Sequence, residues 1–308
     1  MKQTTSTILM VRPANFGFNA QTAVSNAFQH NDASVAKEDI RQLAIEEFDG
    51  FVEKLRSNGI NIVVAQDSEL PIKPDAVFCN NWISTHRNGT MILYPMLTEN
   101  RRLERQDYVI DLIRNNYTVK RYLDFSEHEV LGQILEGTGS MILDRVNRLV
   151  YACLSPRTDA DMLDKFCEWA GYKKVVFHSV DKHGQEIYHT NVMMAMGDKF
   201  VVICMESIHD EAEREMLIDH FKTTNKTIID LRMEQVEAFA GNMLQVQNDE
   251  DKTFLVMSEQ AYKSLRQEQI DLIEHFTNII YAPIYTIEKY GGGSARCMMA
   301  EVFLDKKR

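Results

Sequence analysis

The fold is decided by residues 140–177, SMILDRVNRLVYACLSPRTDADMLDKFCEWAGYKKVVF. Two short apolar segments, 140–143 and 149–154, are separated by a polar turn and predict a pair of adjacent strands. A helical segment follows from Asp159 to Ala170, and Gly171 is a typical helix end. The apolar residues 174–177 then predict a third strand. The segment therefore forms one unit with the order strand, strand, helix, strand.

The same order recurs along the chain roughly every 50 residues, which is typical of a repeat architecture. We expect five units in a single domain, 1–308, at 5–65, 74–125, 135–180, 187–232 and 240–308. The other four helices are expected at 46–55, 105–114, 210–222 and 258–276. The second and fourth units are expected to begin with strands at 76–78 and 191–196, and a last strand at 297–304 closes the chain.

Five such units predict an α/β protein, a five-bladed α/β propeller with pseudo-five-fold ββαβ repeats around a central channel. The alternative is an open, doubly wound sheet. A simple alternation of strand and helix would not place two adjacent strands before each helix, so the hairpins favour the propeller. In a propeller the starts of the units converge, and residues far apart in sequence meet at the channel.

Composition limits the classes of function. With 44% apolar and 26% charged residues, the chain is an ordinary globular protein. Its net charge of -11 repels phosphate backbones, so we expect no nucleic-acid partner. The sequence holds no apolar run of membrane-spanning length and begins with a poor signal peptide, which favours a cytoplasmic protein without membrane association. The five cysteines are scattered, with no spacing typical of zinc or disulfides.

The most informative motif is residues 290–300, YGGGSARCMMA. Three glycines allow backbone geometry and close approach that other residues do not. A thiol beside Arg296 and backbone N–H groups has the surroundings of a reactive nucleophile, so Cys297 is the candidate. A phosphate loop or a flexible turn is the alternative, but no Lys-Ser/Thr pair follows the glycines.

Two further polar residues stand at the entrances of units. His189 precedes the fourth unit, and Glu136 precedes Gly-Thr-Gly at the start of the third. Each residue alone has an ordinary explanation. His189 could be a capping or core histidine, and Glu136 could belong to a simple turn. Because a propeller would gather both residues beside Cys297, the three together predict a catalytic site.

These motifs resemble the guanidine-modifying enzyme superfamily, the penteins. Residues 291–298 are similar to the nucleophile motif of arginine deiminases, dimethylarginine hydrolases and amidinotransferases. Glu136 matches the deiminase Glu-Gly-Gly-Asp element, His189 to Asn191 match His-x-Asp, and 155–158 resemble Ser-x-Arg-Thr. The start of the chain, 10–19, resembles a narrower branch, the citrulline-utilisation hydrolases. The resemblance implies that Arg157 binds the substrate carboxylate and that Arg12 and Asn19 help to close the site.

The sequence departs from the deiminases where they bind the guanidinium cation with two aspartates. This chain has Asn191 and Asn81 there, although a shift by one residue would make Asn80 the contact. Since an amide both donates and accepts hydrogen bonds, the pair suits a neutral ureido group better than a cation.

We therefore expect a cysteine hydrolase that converts citrulline to ornithine, ammonia and carbon dioxide, without a cofactor or metal. Its partner is a small amino-acid substrate, and a homo-oligomer is possible. The alternatives are an arginine deiminase or amidinotransferase, and a non-catalytic binding protein on the same fold.

Overall fold

The computed structural model describes residues 2–307, which form an α/β fold of five three-stranded sheets. The strands are β1 (Thr7–Arg12), β2 (Asn61–Gln66), β3 (Ile83–His86), β4 (Thr90–Leu93), β5 (Arg121–Asp124), β6 (Ile142–Asp144), β7 (Leu149–Cys153), β8 (Lys173–Phe177), β9 (Met194–Met196), β10 (Phe200–Ile203), β11 (Thr227–Asp230), β12 (Leu244–Gln247), β13 (Thr253–Ser258), β14 (Asn278–Ala282) and β15 (Ala300–Glu301).

The helices are α1 (Ala20–Ala23), α2 (Lys37–Arg56), α3 (Glu99–Arg102), α4 (Asp107–Asn116), α5 (Gly137–Ser140), α6 (Ala160–Ala170), α7 (Thr190–Met193), α8 (Glu211–Thr223), α9 (Met233–Glu237), α10 (Glu259–Ser264), α11 (Gln267–Phe276) and α12 (Tyr285–Gly291). Single 3₁₀ turns lie at Cys79–Asn81, Ser126–Leu131, Met205–Ser207 and Ala295–Met298. None of the helices within 2–307 is both long and apolar enough to cross a membrane.

Each sheet has the same topology. Its middle strand pairs antiparallel with the first strand and parallel with the third, as β7 does with β6 and β8. The sheets are β15-β1-β2, β3-β4-β5, β6-β7-β8, β9-β10-β11 and β12-β13-β14. A helix connects the second and third strands, because parallel neighbours need a crossover. The expected order of strand, strand, helix and strand is confirmed in four of the sheets, whereas in the sheet of β1 the distant strand β15 takes the first place.

Helix α6 shows why the pattern could be read from the sequence. Asp159 caps it by accepting hydrogen bonds from the backbone N–H groups of Asp161 and Met162. Met162 and Phe166 lie on its buried side, and Gly171 ends it in the left-handed region at φ 70°. Burying one large apolar side chain contributes about 1.5–3 kcal/mol, so this helix is held chiefly by its apolar face.

The apolar core lies between neighbouring sheets. One cluster joins the sheets of β1 and β4, another those of β4 and β7, and a third those of β7, β10 and β13. A fourth joins the sheet of β13 to that of β1, so the last sheet in sequence packs against the first.

Three expected strand starts are wrong. Residues 76–78 form a turn, Asn191 lies in α7, and Cys297 lies in the 3₁₀ turn Ala295–Met298. Buried turns and buried strands have the same apolar composition, which explains the error. The last strand is limited to β15, and it pairs with β1 instead of extending the fifth unit. The helix expected at 258–276 is divided into α10 and α11.

Candidate active site

A polar side chain precedes the first strand of every sheet. The five are Asn81, Glu136, His189, Asn242 and Cys297, which stand shortly before β3, β6, β9, β12 and β15. All five are buried. The repeated topology therefore places one candidate functional residue beside each sheet.

The loop that carries Cys297 is fixed by close packing. Gly292 adopts φ 61°, a region that side chains rarely occupy. A Cβ at Gly291 would lie 2.6 Å from the Phe78 ring, so both glycines are required by their surroundings. Further along, the Cys297 N–H donates to the Ser294 carbonyl at 3.0 Å, which completes the turn.

Two side-chain amides contact the thiol. Nδ2 of Asn191 lies 3.4 Å from the Cys297 Sγ, and Nδ2 of Asn242 lies 3.3 Å from it. The Asn242 Oδ1 accepts the backbone N–H of Arg296 at 3.0 Å, which fixes the direction of its amide. Both amides therefore direct an N–H group at the sulfur.

His189 and Glu136 form a buried pair. The His189 Nε2 lies 2.8 Å from the Glu136 Oε2, so the carboxylate fixes the ring and leaves Nδ1 free for proton transfer. Burial lowers the pKa of His189 to about 4, against the opposing effect of Glu136. A Cβ at Gly139 would come within 2.8 Å of the His189 Nδ1, so glycine makes room for the ring.

Glu136 is ionised because cations surround it. Burial alone would raise its pKa, but Arg157, the hydrogen bond from His189 and Arg101 together lower the pKa of Glu136 to about 2. Its Oε2 lies 3.6 Å from Nη1 of Arg157 and 3.9 Å from Nη1 of Arg101. The backbone N–H of Leu97 donates to Oε1 at 3.0 Å. The pair is therefore a neutral imidazole on a carboxylate anion.

These groups line a small cavity, which we name the front cavity. Its wall includes Asp75, Asn81, Arg101, Arg157, His189 and Cys297. The Asp75 Oδ2 accepts from Asn19 at 2.7 Å, whereas its buried Oδ1 has no hydrogen-bond partner within 2–307. Burial raises the pKa of Asp75 and Arg101 opposes this. The cavity thus contains both cations and a carboxylate with spare acceptor capacity.

The structure brings most of the predicted residues together. Cys297, His189, Asn81 and Arg157 line the front cavity, while Glu136 supports it from behind the imidazole. Asn80 is turned away, with its Nδ2 donating to the Thr138 hydroxyl at 3.2 Å. Of the two asparagines, Asn81 is therefore the one that lines the front cavity, and its contact with a substrate stays a prediction.

Two residues expected at the site behave differently. Arg12 is directed to the surface, where its guanidinium makes two hydrogen bonds of 2.7 Å with Asp49, so the expectation that it helps to close the site is corrected. Helix α2 supplies the competing carboxylate, which the sequence motif did not reveal. Asn19 is buried and holds Asp75 in place, which is a positioning contact.

Sequence reasoning missed Asp75, Arg101 and Asn242. A signal for Asn242 existed, because it occupies in the fifth unit the place that His189 and Asn191 occupy in the fourth. Asp75 and Arg101 had no such signal. Each lies outside the repeated position, and only the fold brings them to the cavity wall.

A thiol, an imidazole and a carboxylate converge because separate ββαβ units supply them in turn. This fold and site place the protein among the penteins, as a cysteine enzyme of their amidino-hydrolase type. The family model described as "N,N dimethylarginine dimethylhydrolase, eukaryotic" matches residues 12–304, and the chain belongs to this family. A comparison with curated protein sequences gives no match.

Solved structures share the fold. The apo structure of ArgZ, an arginine dihydrolase from the ornithine-ammonia cycle in Cyanobacteria, has a TM-score of 0.74 at 16% identity and covers 96% of this chain. This chain spans only 40% of full-length ArgZ but 97% of its N-terminal domain, which is known with a covalently bound reaction intermediate. A dimethylarginine dimethylaminohydrolase adduct with S-methyl-L-thiocitrulline has a TM-score of 0.63 at 15% identity, covering 96% of this chain and 99% of that one.

Proposed function

We propose that the protein hydrolyses the ureido carbon of citrulline to give ornithine, ammonia and carbon dioxide. The observation that carries the proposal is the orientation of Asn81. Its Oδ1 accepts a hydrogen bond of 2.8 Å from Nη1 of Arg101. The side chain of Arg101 has only hydrogen-bond donors. The amide oxygen of Asn81 must therefore face Arg101, and the NH₂ group of Asn81 must face away from it.

The freed Nδ2 of Asn81 is a buried donor without a partner within 2–307. A Cβ at Gly139 would meet both this Nδ2 and the His189 Nδ1, so the two nitrogens lie on the same side of the site. A donor at this place suits the carbonyl oxygen of a ureido group. It does not suit a guanidinium, which presents only N–H groups.

Asn191 offers the complementary atom. Its Nδ2 points to the thiol, and its buried Oδ1 has no partner in the described chain. An acceptor is what the NH₂ of a ureido group requires. One donor and one acceptor in the site therefore match a urea, whose carbonyl and NH₂ groups lie on the same carbon.

The chemistry follows from these positions. His189 takes the thiol proton at Nδ1, and the thiolate attacks the ureido carbon. The C–N bond to the terminal NH₂ breaks, and His189 returns the proton so that ammonia leaves. A carbamoyl thioester remains on Cys297. Water then attacks it, with His189 as base, the C–S bond breaks, and the resulting carbamate loses carbon dioxide to give ornithine.

The charged groups of the cavity suit the amino-acid end of the substrate. Arg157 would bind its carboxylate, as the resemblance implies, and the free Oδ1 of Asp75 would accept its ammonium group. Arg157 now donates to the Ser25 hydroxyl at 2.8 Å and to the Thr22 carbonyl at 3.1 Å. A substrate carboxylate would replace these neutral partners with a stronger, charged one.

A second candidate is hydrolysis of arginine by the same residues. Asp75 favours it, because a buried carboxylate oxygen without a partner could also accept a guanidinium N–H. The similarity to the arginine dihydrolase ArgZ points in the same direction. Amidinotransferase activity on the same guanidino group has no separate observation in its favour.

The test compares kcat/KM for citrulline, arginine and dimethylarginine, with ammonia and ornithine measured as products. We expect citrulline to be preferred by at least about tenfold over arginine, since a mismatched buried donor costs about 1–3 kcal/mol. A preference for arginine would replace the first candidate with the second. Activity on dimethylarginine alone would reject both.

The same proposal includes the arrangement of the chain. We infer that the five sheets are blades of a propeller around one channel, in a single catalytic domain. The apolar clusters between successive sheets, including the last and the first, support this. A cytoplasmic location agrees with five free, buried cysteines. A homo-oligomer stays a prediction.

A further inference from the structure

A second cavity lies beside the turn that carries the nucleophile. We name it the rear cavity; its wall includes Gln3, Thr138, Met196, Gln245, Arg296 and Glu301. Arg296 and Cys297 are consecutive, and they line the rear and front cavities respectively. The 3₁₀ turn that carries the thiol therefore separates two cavities.

The layer between the cavities contains acceptors without partners. The Asn80 amide donates to Thr138, a rear-wall residue, and its fully buried Oδ1 has no partner in the described chain. Asn191, beside the sulfur, also has an unpartnered Oδ1. Buried polar atoms are normally satisfied by protein or by ordered water. Two such oxygens next to a polar cavity suit molecules the size of water or ammonia.

The proposed reaction creates a need for such a place. While the carbamoyl thioester exists, the amino-acid part of the substrate remains attached and fills the front cavity. Ammonia must nevertheless leave, and a water molecule must reach the same carbon. The segment with Thr22 and Asn26 covers the front cavity, which adds to the obstruction.

The rear cavity has a size and polarity suited to the passage of water and ammonia. It has room for a water-sized molecule. Arg296, whose Nη2 lies 3.1 Å from Oε2 of Glu301, keeps one wall charged. Met196 narrows the cavity from the strand β9.

We propose that the rear cavity is the route by which water enters and ammonia leaves during turnover. This inference rests on the proposed function, in which one water is consumed and one ammonia released for each thioester formed and broken. Substrate and ornithine use the front cavity. The two half-reactions can then proceed without dissociation of the amino-acid part.

The test changes the width of the rear cavity at Met196. Met196→Phe narrows it and Met196→Ala widens it. Met194→Ala is the matched control, because Met194 lies in the same strand, is buried and does not line the cavity. The rate constant for oxidation of Cys297 by hydrogen peroxide, a probe close to water in size, is measured by mass spectrometry of the peptide. Iodoacetamide serves as the larger reagent.

We expect Met196→Phe to slow peroxide oxidation at least about fivefold and Met196→Ala to accelerate it, with Met194→Ala and the iodoacetamide rates within about twofold of wild type. The kcat for ammonia release should fall with Met196→Phe. Peroxide rates that do not respond to the size of residue 196, in folded variants, would overturn the route. If the wild type releases no ammonia from citrulline, the proposed function fails, and the peroxide rates still decide whether the rear cavity reaches the thiol.

Discussion

Two groups of polar side chains surround the nucleophile, an amide cluster (Asn81, Asn191 and Asn242) and a charged cluster (Asp75, Arg101 and Arg157) that lines the front cavity. The amide cluster includes the two groups that donate to the Cys297 sulfur, and it carries no formal charge. The charged cluster is tied to the N-terminal segment through Asn19 and Thr22. In the proposed reaction, charge would hold the amino-acid end of the substrate, whereas neutral dipoles would surround the carbon that reacts.

The largest expected effect comes from the thiol itself. Cys297→Ser should reduce ammonia release by at least about a thousandfold, because a hydroxyl at this place is a far weaker nucleophile. The melting temperature should stay within about 2 °C, since the side chains are nearly isosteric. Cys167→Ala, at a cysteine in α6 far from the site, is the control and should keep full activity. Substantial activity in Cys297→Ser would reject the mechanism.

Asn191→Asp tests the neutrality of the amide cluster. A carboxylate beside the sulfur would oppose the thiolate and would face the ureido group without a donor. We expect kcat/KM for citrulline to fall about a hundredfold, and the activity that remains to shift to higher pH. Asn278→Asp, at an exposed position in β14, should change neither. Unchanged kcat/KM for citrulline in Asn191→Asp would reject the conclusion that a neutral side chain is required beside the sulfur.

Asp75→Asn tests the charged cluster. Losing a charge-assisted contact costs about 1.5–3 kcal/mol, so the KM for citrulline should rise roughly tenfold to a hundredfold while kcat changes less. The matched control is Asp49→Asn, which breaks the surface pair with Arg12 and should leave KM within about twofold. Equal effects of the two variants would show that Asp75 does not contact the substrate.

The smallest expected effect is that of pH on kcat/KM, which should stay nearly constant in mildly acidic solution. Burial lowers the pKa of His189 to about 4, so its base form persists well below neutral pH. We therefore expect kcat/KM to change less than about twofold between pH 7 and 5.5, where an ordinary histidine would cause roughly a tenfold loss. Between pH 6.5 and about 4, His189 is protonated in the unfolded chain but not in the folded protein, so the free energy of unfolding falls as the pH drops. Circular dichroism is therefore used to confirm that the protein stays folded at each pH.

Much of the fold could be predicted because it depends on local pattern. The amphipathic helix α6, its cap at Asp159 and the hairpin of β6 and β7 all follow from short-range signals. The starts of the units could not be predicted correctly. Residues 76–78 and 297–299 are apolar because they are buried, and burial alone does not distinguish a turn from a strand.

The candidate site was predicted where it coincides with the repeat. Cys297, His189 and Glu136 occupy unit entrances, and one recurring position explains their convergence. Contacts between distant segments determine the rest of the site. They bring Asp75 and Arg101 together, and they pair Arg12 with Asp49. Such contacts cannot be predicted from the local sequence, because an acidic residue before an apolar segment occurs in many structural settings.

The pairing of β15 with β1 has a consequence for biosynthesis. Leu9 aligns with Ala300, so β1 waits for β15, which follows it far along the chain, before its sheet is complete. Cys297 lies just ahead of that closing strand. During translation the sheet of β1 is therefore completed only after the nucleophile and β15 have been made, and Cys297 reaches its place only when the contacts between the sheets of β13 and β1 have formed. We expect a chain that stops before β15 to hold no thiol in a competent site.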